Sequence, residues 1–548
     1  MPSGERSVLG IDLSTQSLSA VLLGCASGQV LREISLAYRD DPRLQGFGID
    51  RDSLILPPRE TGEAEQPPRL FIAALEALFA DLVATGVDGA AIAAINCSGQ
   101  QHGHVYLDAT ADAALARLRD AKSADQRLLA LVGDCFAYPG APIWKTANTA
   151  CEAAHIRSTV GGSAAMIARS GSDIPLRFSA NMHRRIALRQ PQAYAATRRI
   201  VQLSSLIPAI LAGDAGIGLD FANACGTGLM NYRQRVWDDV LLRATAADLP
   251  GGPDALAKKL PRLMHPLTIC ASIAAYFQVK YGLAADCRIV VGSGDNPQAR
   301  VLASGDLLSL GTSFVSMMST QDGETDASGM ANAMYDGLGR AFIFGCRSNG
   351  ALVWDRLRTH YGLPRSDFAA SEAALHASAP GTRLRLWHPD SESFPPLAAT
   401  PDMLRLDDAP TDFAGDFAGL VDSALALTCL AGRRFGLASP RAQTPLTVCG
   451  GPSASAGVMR RIAALWNRPA VQAGQAGAAL GAALAAVLAL QPEARRETSG
   501  EHLRQTLFAH NTVFLPDPAT VRAYHAPGAY LDRLSGACAA LTGERITL

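Results

Sequence analysis

The chain has 548 residues, 48% of them hydrophobic and 18% charged, the make-up of an ordinary globular protein too long for one core. A net charge of −1 leaves no basic footprint for nucleic acid or an anionic membrane. Lysine occurs only at 122, 145, 258, 259 and 280, so no Gly-Lys-Ser/Thr exists and a P-loop is excluded.

Residues 9–13 read as an apolar strand that turns through Ser14, Thr15 and Gln16 into a second strand, 18–23. Hydroxyl residues at such a bend present backbone N–H groups and hydroxyls to one point, which suits phosphate oxygens. A proline-broken loop (57–68) precedes helical apolar spacing over 70–84. The run 90–96 predicts a buried strand opening into Cys97-Ser98-Gly99-Gln100-Gln101-His102-Gly103-His104. Such a glycine-bounded polar loop is where α/β proteins place ligand residues. A strand continues over 105–107.

Residues 150–250 read as mostly helical and 249–266 as a proline-rich connection. A strand at 288–291 ends in Gly292-Ser293-Gly294-Asp295-Asn296-Pro297. A second hydroxyl-rich hairpin follows, with strands 308–310 and 314–318 around Gly311, Thr312 and Ser313. A loop is expected near 388–402, and a strand at 446–449 that ends in Gly450-Gly451-Pro452-Ser453 before a helix to Trp466. A polar tail is expected beyond 515. Two hairpins of one kind in one chain predict a duplicated architecture closing on one nucleotide, with a domain boundary near residue 300.

The eleven cysteines are scattered, odd in number and without a C-x-x-C pair, which argues against a zinc cage or a disulfide framework. The first ten residues lack the apolar core of a signal peptide, and the apolar stretch 476–490 is too short to span a bilayer. It reads as a buried helix in which Gly477 and Gly481 permit close packing. The expected compartment is the cytoplasm.

Four groups can carry chemistry, and each has a plain structural alternative. Asp12 can hold a hydrated Mg²⁺ or cap its own turn. Asp295 can take a proton from a hydroxyl attacking phosphorus, or serve as a helix N-cap before Pro297. His102 and His104 would share a face if they lay on a strand; one can donate to a polyol, or both can be structural. Gly450-Gly451 can let an adenine lie on bare backbone, or be a tight turn. No Gly-x-Gly-x-x-Gly or Gly-x-Ser-x-Gly occurs, which removes the dinucleotide and serine-hydrolase readings.

The order of the pieces resembles the FGGY carbohydrate kinases of the actin/hexokinase/Hsp70-like superfamily, and within them the eukaryotic-type xylulokinases. The carriers are residues 10–16, 98–103, Ala-Pro-Ile-Trp (141–144), Asp-Phe-Ala-Asn-Ala-Cys-Gly-Thr-Gly (220–228), 294–297, 309–313, Ser-Asn-Gly (348–350) and 450–453. The resemblance implies an α/β chain of two ribonuclease-H-like domains around a central cleft, a sugar-binding one over 1–300 and a nucleotide-binding one over 301–548. It implies Asp295 as catalytic base, and Gln101, His102, Arg177, Asp295 and Asn296 at the sugar. Ser14, Thr15, Gln16, Gly311, Thr312, Ser313, Gly450, Gly451 and Ser455 would meet ATP, and Asp12 the Mg²⁺. The implied reaction is phosphorylation of D-xylulose at its terminal hydroxyl. Another ketose or polyol as acceptor, or a non-catalytic sugar-binding homologue, are the alternatives. A homodimer stays open.

Three positions depart from the family pattern. Ser19 stands where a Lys or Arg is usual, Thr146 where the xylulokinases carry an acid, and Asn223 where a second Asp is usual. The first would weaken contact with phosphate, and the second would retune the sugar pocket.

Overall fold

The computed structural model describes residues 5–123, 125–435, 444–473 and 477–542. The chain divides into two compact units. The first comprises 1–302, 333–340 and 477–507; the second comprises 303–332, 341–476 and 508–548. The first change-over lies two residues beyond the expected boundary of 300, and two later segments return to the first unit.

In the first unit the strands lie in the order Ile269–Ser272, Arg288–Val290, Ile92–Gly99, Ser7–Leu13, Ser17–Gly24, Val30–Ala37. Ser7–Leu13 pairs antiparallel with Ser17–Gly24 and parallel with Ile92–Gly99. Its side chains alternate across the sheet. Leu9, Ile11 and Leu13 enter the core that holds Leu70, Phe71 and Leu75 of helix Pro68–Ala84. The opposite face carries Gly10, where a Cβ would fall 2.0 Å from the Ala479 carbonyl of helix Ala478–Ala489. Only glycine lets that helix come so close.

The second unit repeats the plan. Its strands run Ala341–Arg347, Phe314–Ser319, Leu307–Leu310, Leu446–Cys449, Ala470–Gln472, Val513–Phe514. From Val30–Ala37 inward, the first sheet pairs antiparallel, antiparallel, parallel, parallel, antiparallel. From Ala341–Arg347 the second sheet pairs in the same sequence. Helices fill the crossovers that parallel pairs require. Each unit is therefore a mixed α/β domain of the ribonuclease-H-like kind expected from the sequence.

Several local expectations need correction. Residues 249–266 are not a plain connection: Gly252–Lys259 is a helix, entered through Gly251 at φ 77° with a proline in its first turn. Proline there starts a helix rather than breaking one. The tail beyond 515 holds helices Pro518–His525 and Tyr530–Thr542, anchored by buried Tyr524, Tyr530 and Leu534. Phe413–Gly432 is long and apolar enough to cross a bilayer by length and composition, yet it is the central helix of the second unit's core. The apolar stretch expected over 476–490 is the helix Ala478–Ala489; residue 476, and residues 1–4 of the segment scanned for a leader, lie outside the described residues.

Candidate active site

Three strand ends of the first unit meet at one edge. Asp12 lies beside Ser98 in the parallel register and opposite Ser19 across the hairpin. Ser293 and Gly294 pair with Ser98 and Gly99 on the other side of the same strand, and Asp295 opens the helix Asp295–Arg300 immediately after. Gly294, not Asp295, is the N-cap of that helix. Asp295 is therefore not the helix cap.

The Asp295 carboxyl is held from one side. Its Oδ1 accepts from the Asn296 N–H (2.8 Å), Asn296 Nδ2 (3.1 Å) and the Gln101 N–H (3.3 Å), while Oδ2 accepts no hydrogen bond among the described residues. Burial, and then the charge of Asp12, push this acid up to about 7. Burial also raises Asp12, against the opposing bond from the Ser98 hydroxyl (2.6 Å). Among the described residues no three His, Cys, Asp or Glu side chains gather into a metal cage. Asp12, half-buried and bonded at one oxygen only, fits an ion such as Mg²⁺ that keeps its waters and touches one or two carboxylates.

His102 is not on a strand. It sits in the loop at φ 69°, a left-handed conformation costing a non-glycine residue about 1–2 kcal/mol. Its ring stacks on Phe178 (centroids 5.0 Å apart) and its Nδ1 meets the Gly226 carbonyl at 2.8 Å. A carbonyl only accepts, so Nδ1 carries the proton and Nε2 is a bare lone pair. Burial, followed by the nearby Arg177 guanidinium, drops this imidazole to about 3. It is thus a neutral acceptor, and the expectation of a donor to a polyol is corrected. Gly226 is bare by necessity: a Cβ there would stand 2.8 Å from His102 Cε1.

Gln101 Oε1 accepts from Asn296 Nδ2 (3.0 Å), whereas Gln101 Nε2 and Asn223 Oδ1 are buried without a partner among the described residues. Asn223 is tied through Nδ2 to the Ser204 hydroxyl (2.8 Å). One unpaired donor and one unpaired acceptor are what a hydroxylated ligand would satisfy.

The first turn differs from its expected form. Ser14 Oγ donates to the Ser17 carbonyl (2.9 Å); Thr15 Oγ1 donates to Gln100 Oε1 (2.9 Å) and accepts from Trp144 Nε1 (2.9 Å). These hydroxyl protons are committed to protein, while Gln16 is exposed. Gln66, which sequence reasoning passed over, braces the turn: its Nε2 donates to the Thr15 carbonyl and its Oε1 accepts from Gln100 Nε2. Its signal was only a lone glutamine between Glu65 and Pro67, inside the proline-broken loop. Ser98 was also passed over, although it stands beside Asp12 in register. Ser19 shares a hydroxyl–hydroxyl bond with Ser35 (3.1 Å), and Thr146 turns its hydroxyl onto the Ala64 carbonyl (2.9 Å).

In the second unit, taken by itself, the turn Gly311-Thr312-Ser313 is closed by the Gly311 N–H on the Ser313 carbonyl (3.0 Å), with Thr312 exposed. Gly450 has φ 93° and leaves no room for a Cβ, which would lie 1.9 Å from the Leu310 carbonyl; Gly451 faces open space. Ser455 caps the helix Ala456–Trp466 and is bonded to Glu372. Its hydroxyl is occupied by structure.

Residues 139–301 match the FGGY family of carbohydrate kinases, N-terminal domain. The chain is 30% identical over 363 residues to the probable D-xylulose kinase A of Aspergillus flavus, covering 64% of this chain and 60% of that protein. It is 29% identical over 319 residues to the xylulose kinase of Rattus norvegicus, covering 57% and 56%. The alignments thus span about 60% of the length of the curated relatives. Among solved structures, a xylulose kinase from Rhodospirillum rubrum superposes with TM-score 0.77 at 18% identity (98% of each chain). One described as a xyloylose kinase from Brucella ovis does so with TM-score 0.74 at 20% identity, over 98% of this chain and 100% of that one. Those likenesses show the same fold. Over residues 139–301 the chain is therefore similar to the N-terminal domain of the FGGY carbohydrate kinases.

Proposed function

We propose that the chain is an ATP-dependent sugar kinase that converts D-xylulose to D-xylulose 5-phosphate, with Asp295 as general base. The observation that carries this reading is the state of Asp295. One oxygen is fixed by three N–H donors, the other is open, and the acid is poised at about 7. A base tuned near neutrality takes a hydroxyl proton most effectively. The names of the relatives support xylulose as the acceptor.

In the proposed reaction His102 Nε2 accepts a hydrogen bond from one sugar hydroxyl and Gln101 Nε2 donates to a sugar oxygen. Arg177 and Asn296 complete the sugar contacts. Asp295 takes the proton of the terminal hydroxyl as its oxygen bonds to the γ-phosphorus and the bond to the ADP oxygen breaks. Phosphoryl transfer asks the protein mainly for positioning and charge neutralisation. Asp12 would hold Mg²⁺, which supplies positive charge for the phosphate oxygens. Gly311 to Ser313 and Gly450-Gly451 are the proposed nucleotide contacts.

A second reading keeps the chemistry and changes the acceptor to another ketose or a polyol. Thr146 favours it, because its hydroxyl is spent on the Ala64 carbonyl where an acid would stand in the xylulokinases. A panel of ketoses and polyols with MgATP, read by ADP release, tests both. Xylulose-dependent turnover is the expected result. Turnover with a different sugar replaces the acceptor, and acceptor-independent or absent ADP release overturns the kinase reading.

A further inference from the structure

Two hydrogen-bonded struts converge on one backbone atom, the carbonyl oxygen of His102. The first comes from His104, whose Nδ1 lies 2.9 Å from it. The second comes from Ser179, whose hydroxyl donates to it at 3.3 Å and in turn accepts from Gln202 Nε2 at 3.2 Å. Gln202 is also the strand partner of His104 in the register His104↔Gln202. Both struts therefore rise from one short two-stranded ladder, and they hold a residue whose backbone is left-handed.

Behind His104 the bonds continue in a fixed direction. Since the His102 carbonyl only accepts, His104 must carry its proton on Nδ1, which leaves Nε2 a bare lone pair. That lone pair sits 2.9 Å from the Tyr106 hydroxyl, so Tyr106 must donate to it. The Tyr106 oxygen then has only lone pairs left for His183 Nδ1 at 3.1 Å, so His183 must donate. All three rings are enclosed in protein, with exposures of 0%, 0% and 1% for His104, Tyr106 and His183. Burial lowers His104 to about 4 and holds His183 well below the ordinary histidine range, so both stay neutral. The chain reads His183 to Tyr106 to His104 to the His102 carbonyl, with one proton per bond and one tautomer per ring.

We infer that His104 is a positioning residue: its Nδ1–H, oriented by Tyr106 and His183, holds the strained His102 backbone so that the His102 ring keeps Nδ1 on Gly226 and presents Nε2 to the sugar. This rests on the proposed role of His102 in binding the ketose. His104 touches no substrate in this scheme. It acts through His102.

Two near-isosteric substitutions separate this role from simple packing. In His104→Asn the amide nitrogen takes the place of Nδ1 and can still donate to the His102 carbonyl. In His104→Gln the amide reaches the Nε2 position, keeps company with Tyr106 and leaves the carbonyl without its donor. The expected result is a ketose KM within about threefold of wild type for His104→Asn and raised about tenfold or more for His104→Gln, with kcat and the ATP KM little changed in either. Equal ketose KM values in the two variants, or an effect on kcat or ATP alone, overturn the inference.

A readout without substrate keeps this distinct from failure of the kinase reading. In ¹⁵N-histidine spectra of the whole protein, His102, His104 and His183 should all show the neutral Nδ1–H form. His102 should keep it in His104→Asn and become a tautomer mixture in His104→Gln; a His102 signal identical in both variants overturns the proposal. Should His104→Gln not fold, Tyr106→Phe carries the test, because it removes only the hydroxyl that orients His104. It should raise the ketose KM about threefold, and an unchanged KM counts against the chain.

Discussion

The Ser293 hydroxyl donates to Asp220 Oδ2 at 2.6 Å, tying the short strand that leads into Asp295 to the helix N-cap at Asp220. Asp220 is fully buried, and burial pushes its acid up to about 7 against the bonds from Ser293 and the Asn223 N–H. Replacing it with alanine strands a buried hydroxyl and uncaps the turn. Asp220→Ala should cost about 1–3 kcal/mol of stability, read by denaturant unfolding; a loss below a few tenths would show the tie to be idle.

Asp295→Asn should cut turnover by roughly 10²–10⁴-fold while stabilising the fold. The folded chain keeps the Asp295 proton up to about pH 7, whereas an unfolded aspartate releases it near ~4. Between those values the unfolded state binds fewer protons, so stability falls as pH rises from ~4 to ~7 and levels off above. Thermal melts should therefore show Asp295→Asn a few degrees above wild type at pH 8, with the gap closing toward pH 4. A variant that melts lower at pH 8 would contradict the raised acid.

Asp12→Asn removes the like charge that helps hold Asp295 up. The acid limb of kcat/KM should then move to lower pH, and the residual activity should lose its dependence on Mg²⁺ concentration. An unmoved limb would mean that the two carboxyls do not sense each other.

Gly226→Ala places a methyl against His102 Cε1 and Nδ1, at 2.8 and 2.9 Å. Crowding of this kind costs about 1–3 kcal/mol. The expected signature is a ketose KM raised about tenfold with the ATP KM unchanged. A shift confined to ATP would remove His102 from the sugar site.

Gly481→Ala tests the fold behind the site. Its Cβ would fall 1.9 Å from the Gln298 carbonyl, in the helix that begins with Asp295. Backbone cannot give way as a side-chain tip can, so the variant should lose about 1–3 kcal/mol or more and show lowered turnover. Wild-type melting would contradict the close approach.

Both hairpins were legible in the sequence because alternating apolar residues and a hydroxyl bend are local signals. So were Asp12 and Asp295, each at the end of an apolar run. What stayed hidden depends on distant partners. The commitment of the Thr15 hydroxyl to Gln100, and the bracing by Gln66, arise from strands paired across long sequence gaps. The tautomer of His102 is set by a carbonyl 124 residues away, which no spacing rule records. The helix Gly252–Lys259 was obscured by reading Pro253 as a breaker, and Phe413–Gly432 by its nearly unbroken apolar character.

The helix Ala478–Ala489 has a consequence for how the protein is made. All sugar-side candidates lie before residue 302, yet Gly10 and Gln298 are backed by a helix encoded far downstream. A nascent chain that has just emerged past Asp295 carries the proposed base and sugar contacts without the buttress that seats them. The site can mature only late in synthesis, and a fragment ending near residue 302 should expose the Gly10 face of its sheet and aggregate rather than bind sugar.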